Sequence, residues 1–203
     1  MPDSPFQGLR LIAGLGNPGR EYEGTRHNIG FAVLDSLASR LGVAFTKEAK
    51  WDAWIAKATL PSGEEIVLLK PTTFMNLSGD SVGEYARFYR IAAHSTLVVL
   101  DDVALPIGTL RIRQEGSSGG QKGLESVLMH FATEQVPRMR VGVGGAANGM
   151  NLSSHVLSRF TSEEQSDAEA SVLRGTDAVL CACREGIVQA MNLYNAVPNS
   201  DKP

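Results

Sequence analysis

The sequence predicts an α/β fold with helices on both faces of a mostly parallel sheet. Short, nearly continuous apolar runs such as Leu9–Leu15 and Thr96–Leu100 have the character of strands buried on both faces. These runs alternate along the chain with segments of helical periodicity, the pattern of strand-and-helix units stacked in layers. With 203 residues, 43% hydrophobic and 20% charged, the chain suits one globular domain with its own core.

The elements follow in order. Leu9–Leu15 enters a tight turn at Gly16-Asn17-Pro18-Gly19, and a polar loop runs from Arg20 to Asn28. Val33, Leu34, Leu37, Ala38 and Leu41 recur at helical spacing until Gly42 stops the helix. Residues 51–59 and 64–70 flank Pro61-Ser62-Gly63 as a hairpin. After Lys70-Pro71, the residues Val82, Tyr85, Ala86 and Tyr89 set a second helix behind Ser78. Thr96–Leu100 is the most strand-like segment and carries Asp101 and Asp102 at its carboxyl end. A shorter strand over Leu110–Gln114 precedes the loop Gly116-Ser117-Ser118-Gly119-Gly120, a helix to about Phe131 and a strand over Arg138–Gly144. A helical tail is expected to open on Thr161-Ser162-Glu163-Glu164 as a capping box and to run, with a break near Gly175, to about Tyr194.

Charge and composition exclude several classes. Lys and Arg number 19 against 22 Asp and Glu, a formal charge of -3, so the chain is not a generally basic nucleic-acid binder. Residues 1–150 carry 15 basic and 15 acidic side chains and residues 151–203 carry 4 and 7, which places any polyanion site in the first three quarters. The two cysteines share one Cys181-Ala182-Cys183 stretch, which is neither a disulfide framework nor a zinc spacing. No apolar run approaches the ~18 residues of a membrane span, and the N-terminus does not read as a secretory signal; a soluble cytoplasmic protein is expected.

Gly14-Leu15-Gly16-Asn17-Pro18-Gly19 matches G-x-G-x-x-G behind a strand, the fingerprint of dinucleotide binding. The context opposes that reading. A dinucleotide turn feeds directly into a helix, whereas polar loop residues intervene here. The acid expected about 20 residues on would have to be Asp35, inside the helical pattern.

His27 lies in the loop that leaves the first strand, and Asp101 stands at the carboxyl end of a buried strand, where open α/β sheets form their ligand crevice. A histidine and an aspartate at one rim suit a general base whose tautomer is held by a carboxylate; solvation of a strand end is the ordinary alternative for Asp101. Asn17 and the Phe74-Met75-Asn76 segment reach the same rim. Their amides offer neutral donors and acceptors for orienting an ester and water, although a turn explains Asn17, a helix cap Asn76 and core packing Met75. Gly116–Gly120 suits either a phosphate cradle or a flexible loop. Arg111 and Arg113 alternate on one strand and Arg138 and Arg140 on another, so four guanidinium groups are expected on one surface, near Lys122. There is no nucleophile elbow, P-loop or His-x-x-x-His pair, so a metal-free mechanism is expected.

Taken together, Gly14-Leu-Gly-Asn-Pro-Gly-Arg-Glu-Tyr-Glu-Gly-Thr-Arg-His-Asn-Ile-Gly30, Lys70-Pro-Thr-Thr-Phe-Met-Asn-Leu-Ser-Gly79 and the strand leading to Asp101 resemble the bacterial-type peptidyl-tRNA hydrolases. The resemblance spans about Leu11 to Tyr194. It implies a single three-layer α/β/α domain with a mixed sheet over residues 1–203, with 1–8 and 197–203 as flexible tails. It also implies a monomer without cofactor or metal that hydrolyses the ester of peptidyl-tRNA, its partner in translation and ribosome rescue.

Position by position, the resemblance makes His27 the catalytic base, Asp101 its partner and Asn17 a neighbour of the scissile ester. Tyr22, Phe74, Met75 and Asn76 would line the groove for the tRNA 3' end and peptide, and Arg113 and Arg140 would grip tRNA phosphates. The chain departs from the usual Gly-Gly-His-Asn-Gly at Gly119-Gly120-Gln121-Lys122-Gly123, which puts Lys122 where a substrate-contacting asparagine stands. A second departure is Gly144-Gly145, where Gly-His is common. The competing expectation is a non-enzymatic RNA-binding protein, since plant organellar splicing factors share the resemblance.

Overall fold

The apolar runs become the middle of a seven-stranded sheet in a computed structural model that describes residues 8–146 and 151–196. The strands are β1 (Leu11–Gly14), β2 (Thr46–Glu48), β3 (Ala53–Thr59), β4 (Glu65–Pro71), β5 (Thr96–Asp102), β6 (Leu110–Arg113) and β7 (Arg138–Gly142). The helices are α1 (Ile29–Leu41), α2 (Ser78–Phe88), α3 (Lys122–Phe131), α4 (Leu152–Val156), α5 (Gln165–Glu185) and α6 (Ile187–Tyr194). Spatial order is β2-β3-β4-β1-β5-β7-β6. The central strands β4, β1, β5 and β7 run parallel, while β2 and β3 on one side and β6 on the other are antiparallel to their neighbours.

Each face of this sheet is buried by its own helices, which is why β1 and β5 are buried at every residue. Ile12, Leu97, Val99, Met139 and Val141 pack with Val33, Leu34 and Leu37 of α1 and with Ala178 and Val179 of α5. Leu11, Ala13, Val98 and Leu100 pack on the other face with Val82 and Tyr85 of α2 and Leu124 and Val127 of α3. The result is three layers with every parallel strand ending at one rim, where the loops into α1, α2 and α3 meet.

Gly14, at the end of β1, and Gly30, in α1, bring helix and sheet together. A Cβ on Gly30, in the first turn of α1, would lie 2.5 Å from the Val99 carbonyl oxygen and 2.6 Å from that of Leu15. One on Gly14 would lie 2.5 Å from the Gly30 carbonyl oxygen. The absence of these side chains lets the start of α1, and the residues just before it, sit directly on β1 and β5.

Several expectations are corrected. β2 is exposed at every residue, so it has no apolar alternation to announce it. The short α4 also lacks a periodic signal. The helical tail does not break at Gly175: this residue is buried inside α5, where a Cβ would come 3.1 Å from Val33 Cγ2, so it marks close packing rather than a stop. The break falls at Gly186, with φ at 90°. Thr161–Glu164 forms half of a capping box one step before α5. Glu164 accepts from the Thr161 amide at 2.8 Å, but the Glu164 amide bonds the Thr161 carbonyl instead of its hydroxyl. The tails expected at 1–8 and 197–203 lie outside the described residues apart from Gly8.

Candidate active site

Asp101 and His27 meet at the rim. His27 belongs to a one-turn 3-10 segment, Arg26–Asn28, that leads into α1, and Asp101 is the penultimate residue of β5. His27 Nδ1 lies 2.8 Å from Asp101 Oδ2, with the aspartate side chain 3% exposed and the histidine 15%. An ionised carboxylate only accepts, so Nδ1 carries the proton and Nε2 keeps its lone pair. That arrangement leaves the outer nitrogen of the ring as a base.

A circuit of hydrogen bonds joins the remaining loops to this pair. The second Asp101 oxygen accepts from Gln121 Nε2 at 3.0 Å, and the same amide nitrogen is 3.4 Å from Met75 Sδ. The Met75 backbone amide donates to Asn17 Oδ1 at 2.8 Å. Asn17 is held in turn by Asn28, which accepts from its amide at 2.8 Å and donates to its carbonyl at 3.0 Å. Asn28 adjoins His27, which closes the ring. The turn after β1, the turn after β4, the end of β5 and the start of α3 are thereby fixed against one another.

The structure thus brings together His27, Asp101, Asn17 and Met75. Met75 is buried, and its sulfur occupies the space that a Cβ on Gly123 would fill at 2.3 Å. Phe74 and Asn76 flank it on the exposed side of the rim, Phe74 being 57% exposed. Tyr22 is half-buried in a separate 3-10 turn, Arg20–Tyr22, and its carbonyl accepts from the Thr25 hydroxyl. Sequence reasoning misses Gln121 and Asn28 as site residues. Gln121 is visible there only as a departure from a motif, and Asn28 sits at an N-cap, where an asparagine ordinarily serves the helix. Its side chain makes no cap hydrogen bond.

The expected strip of four arginines is only partly realised. Arg111 pairs across the strands with Arg140 and Arg113 with Arg138, so all four share the sheet face that packs α2 and α3. Arg138, however, is buried and donates to the carbonyls of Val136, Ser117 and Glu134. Burial pushes its guanidinium below the ordinary arginine value, and its work is to pin the glycine loop to the sheet edge. Arg140 forms an ion pair with the buried Asp102 at 2.9 Å, and Arg113 is exposed. Lys122 begins α3 with its ammonium 2.8 Å from Glu125. Of the expected cations, Arg138 is thus withdrawn into the structure, Arg140 and Lys122 each face a carboxylate, Arg111 is half-buried and Arg113 is exposed.

Arg26 anchors the segment that carries His27. Its side chain, 5% exposed, donates to the Val143 carbonyl at 3.0 Å and to Glu164 at 2.6 Å, and its guanidinium lies 4.7 Å over the Phe160 ring. The hydrogen bond from Arg26 holds the Glu164 carboxyl below the ordinary glutamate value. At the Gly144 departure, the Gly144 carbonyl is 2.8 Å from Nε2 of the buried His155. A large cavity, about 1120 Å³, lies beside the pair rather than at it. It shares Asn17 and Asn28 with the circuit and extends past Phe31, Trp54 and Leu173.

A three-layer α/β/α fold with a histidine hydrogen-bonded to a buried aspartate where its parallel strands end defines an α/β protein with its candidate site at that rim. Residues 11–202 match the family model described as peptidyl-tRNA hydrolase, and the chain belongs to that family. Among curated relatives, the peptidyl-tRNA hydrolases of Geobacillus kaustophilus and Desulfitobacterium hafniense are 45% and 46% identical over 187 residues, 92% of this chain and 100% of each relative. The crystal structure of peptidyl-tRNA hydrolase from Acinetobacter baumannii superposes with a TM-score of 0.87 at 34% identity, covering 93% of this chain and 95% of that one. A single-residue variant of the same protein gives 0.89 at 33% identity, with 96% and 98% covered.

Proposed function

We propose that this chain, as one hydrolase domain over residues 1–203, cleaves the ester between a peptide's terminal carbonyl and the tRNA ribose with water activated by His27. The observation that carries the reading is the 2.8 Å contact between His27 Nδ1 and a buried Asp101 at the rim of this family's fold. His27 Nε2 takes a proton from water as the oxygen bonds to the carbonyl carbon. Asp101 stabilises the imidazolium that forms. Collapse of the tetrahedral intermediate breaks the bond to the ribose oxygen, which receives that proton. The peptide leaves as a carboxylic acid that ionises by releasing the second water proton to solvent, and the tRNA leaves with a free hydroxyl.

Asn17 has its side-chain oxygen committed to Met75, so Nδ2 is the end available to the substrate as a neutral donor toward developing charge. Phe74 and Asn76 receive the 3' end and peptide together with Tyr22, and Met75 forms the wall. Arg113, Arg140 and Lys122 hold phosphates. A local cationic strip on a chain of net charge -3 favours one well-placed polyanion over nucleic acid in general. The reading is of a metal-free, monomeric enzyme working in the cytoplasm, and among the described residues no helix is long and apolar enough to cross a membrane.

The test is incubation of purified protein with an N-acyl-aminoacyl-tRNA. Release of N-acyl amino acid and chargeable tRNA at catalytic turnover is expected. Stoichiometric binding without release would favour the non-enzymatic RNA-binding alternative.

A further inference from the structure

We infer that Gln121 is a positioning residue for the reaction, setting the Asp101 carboxylate, and through it the His27 ring, with a group that does not titrate. The inference rests on the functional reading above, in which His27 acts as base. Its observation is how completely one side-chain amide is used. Gln121 Oε1 accepts from the Leu124 backbone amide at 2.7 Å and so caps α3. A backbone N–H can meet only an oxygen, so the amide orientation is fixed and Nε2 must be the end facing Asp101. Nε2 donates to Asp101 Oδ1 at 3.0 Å and approaches Met75 Sδ at 3.4 Å, while Asp101 Oδ2 faces His27. The aspartate is thus gripped from opposite layers, by the loop into α1 and by the start of α3.

Two consequences follow for the chemistry. A carboxylate with one oxygen pinned cannot rotate away, so the direction of the His27 ring is preset before substrate arrives. A neutral amide also adds no charge of its own beside the pair. The charged groups nearby are otherwise engaged: Asp102 on the same strand faces Arg140 of β7, Lys122 faces Glu125 on α3, and Arg26 beside His27 faces Glu164. Among the described residues, Asp101 is therefore the one carboxylate bonded to this histidine.

Two substitutions separate positioning from helix capping. Gln121→Ser keeps a good N-cap but is too short to reach Asp101. Gln121→Glu keeps length and a capping oxygen while setting a second carboxylate against Asp101, which favours a protonated His27. The experiment measures kcat and KM on an N-acyl-aminoacyl-tRNA across pH, thermal stability, and the NMR titration curve of the His27 ring, for wild type and both variants. Gln121→Ser is expected to lower kcat roughly 10-fold to 100-fold with KM and stability little changed. Gln121→Glu is expected to move the acid limb of kcat/KM and the His27 titration curve to higher pH by about one unit. Wild-type kcat in Gln121→Ser, or an unmoved His27 curve in Gln121→Glu, would overturn the inference, as would activity lost only in step with the folded fraction. If wild type itself does not turn over, the functional reading fails, and the His27 curve alone decides whether Gln121 sets the pair.

Discussion

Asn28 occupies the N-cap of α1, yet its side chain grips Asn17: Oδ1 accepts from the Asn17 amide at 2.8 Å and Nδ2 donates to the Asn17 carbonyl at 3.0 Å. The pair ties the first loop of the rim to the residue beside His27, so one substitution there is expected to move both stability and turnover. Asn28→Ala leaves a buried N–H and carbonyl unpaired and is expected to cost about 2 kcal/mol, with kcat falling at least about 10-fold as the loop relaxes. Denaturant unfolding and turnover on the same preparation check both. Asn17→Asp behaves differently, because its carboxylate still accepts from Met75 but lacks the Nδ2 donor and adds charge where the oxyanion develops. It is expected to lower turnover more than stability.

The close seat of α1 on the sheet makes a second prediction. Gly30→Ala forces a methyl group to within 2.5 Å of the Val99 carbonyl oxygen, a contact with backbone that has no rotamer to change. Loss of about 3 kcal/mol or more of folding free energy is expected, with displacement of the segment that carries His27. A thermal melt beside Gly145→Ala, whose added methyl would come no nearer than 3.6 Å to the Val103 carbonyl oxygen, separates the clash from the general cost of replacing a glycine.

The third prediction is a pH dependence. Arg26 depresses the Glu164 carboxyl below the ordinary value of 4.5, so the unfolded chain takes up a proton there before the folded one does. The stability this pair contributes is present above the unfolded value and is lost as pH falls through the lower folded value. Glu164 is 31% exposed, so the contribution is about 1 kcal/mol at neutral pH. Unfolding of wild type and Glu164→Gln should differ by that amount at neutral pH and converge in acid.

Arg113, Arg140 and Lys122 carry the fourth prediction. Replacing any one by Ala should weaken binding of deacylated tRNA and reduce the slope of log K against log salt by about 0.7–0.9 for each phosphate that is no longer neutralised. Arg138→Ala should instead lower stability, because its donors hold the carbonyls of Ser117, Glu134 and Val136. An unchanged slope in all three variants of the strip would remove it from the tRNA surface.

What could be read from the sequence divides along physical lines. The two innermost strands, β1 and β5, are legible because both faces are covered and their residues run apolar, as in Leu97–Leu100. β2 is not, since all of its residues face solvent. Gly175 misleads because a glycine inside a helix marks either a stop or a close contact, and only the neighbouring Val33 decides which. Asp101 is legible as the end of a buried strand and His27 and Asn17 as residues of the loop that leaves another, whereas Met75 reads by itself as core packing and gains a role at the rim only through the family resemblance. Asn28 and Gln121 are not legible, because their roles are contacts between loops far apart in sequence, and an amide side chain carries no sign of which partner it will choose. Arg138 reads as one more surface cation for the same reason: it is enclosed by the carbonyls of Ser117, Glu134 and Val136, contacts that the strand pattern does not announce.

The measurement that bears most directly on the proposed mechanism is turnover of an N-acyl-aminoacyl-tRNA by His27→Ala, with binding of deacylated tRNA measured on the same protein. A general base held by Asp101 predicts kcat lowered by ~10²–10⁴ with binding nearly unchanged and the fold intact. Near-normal turnover by His27→Ala would contradict the assignment of His27 as the base and move the chemistry to another group at this rim.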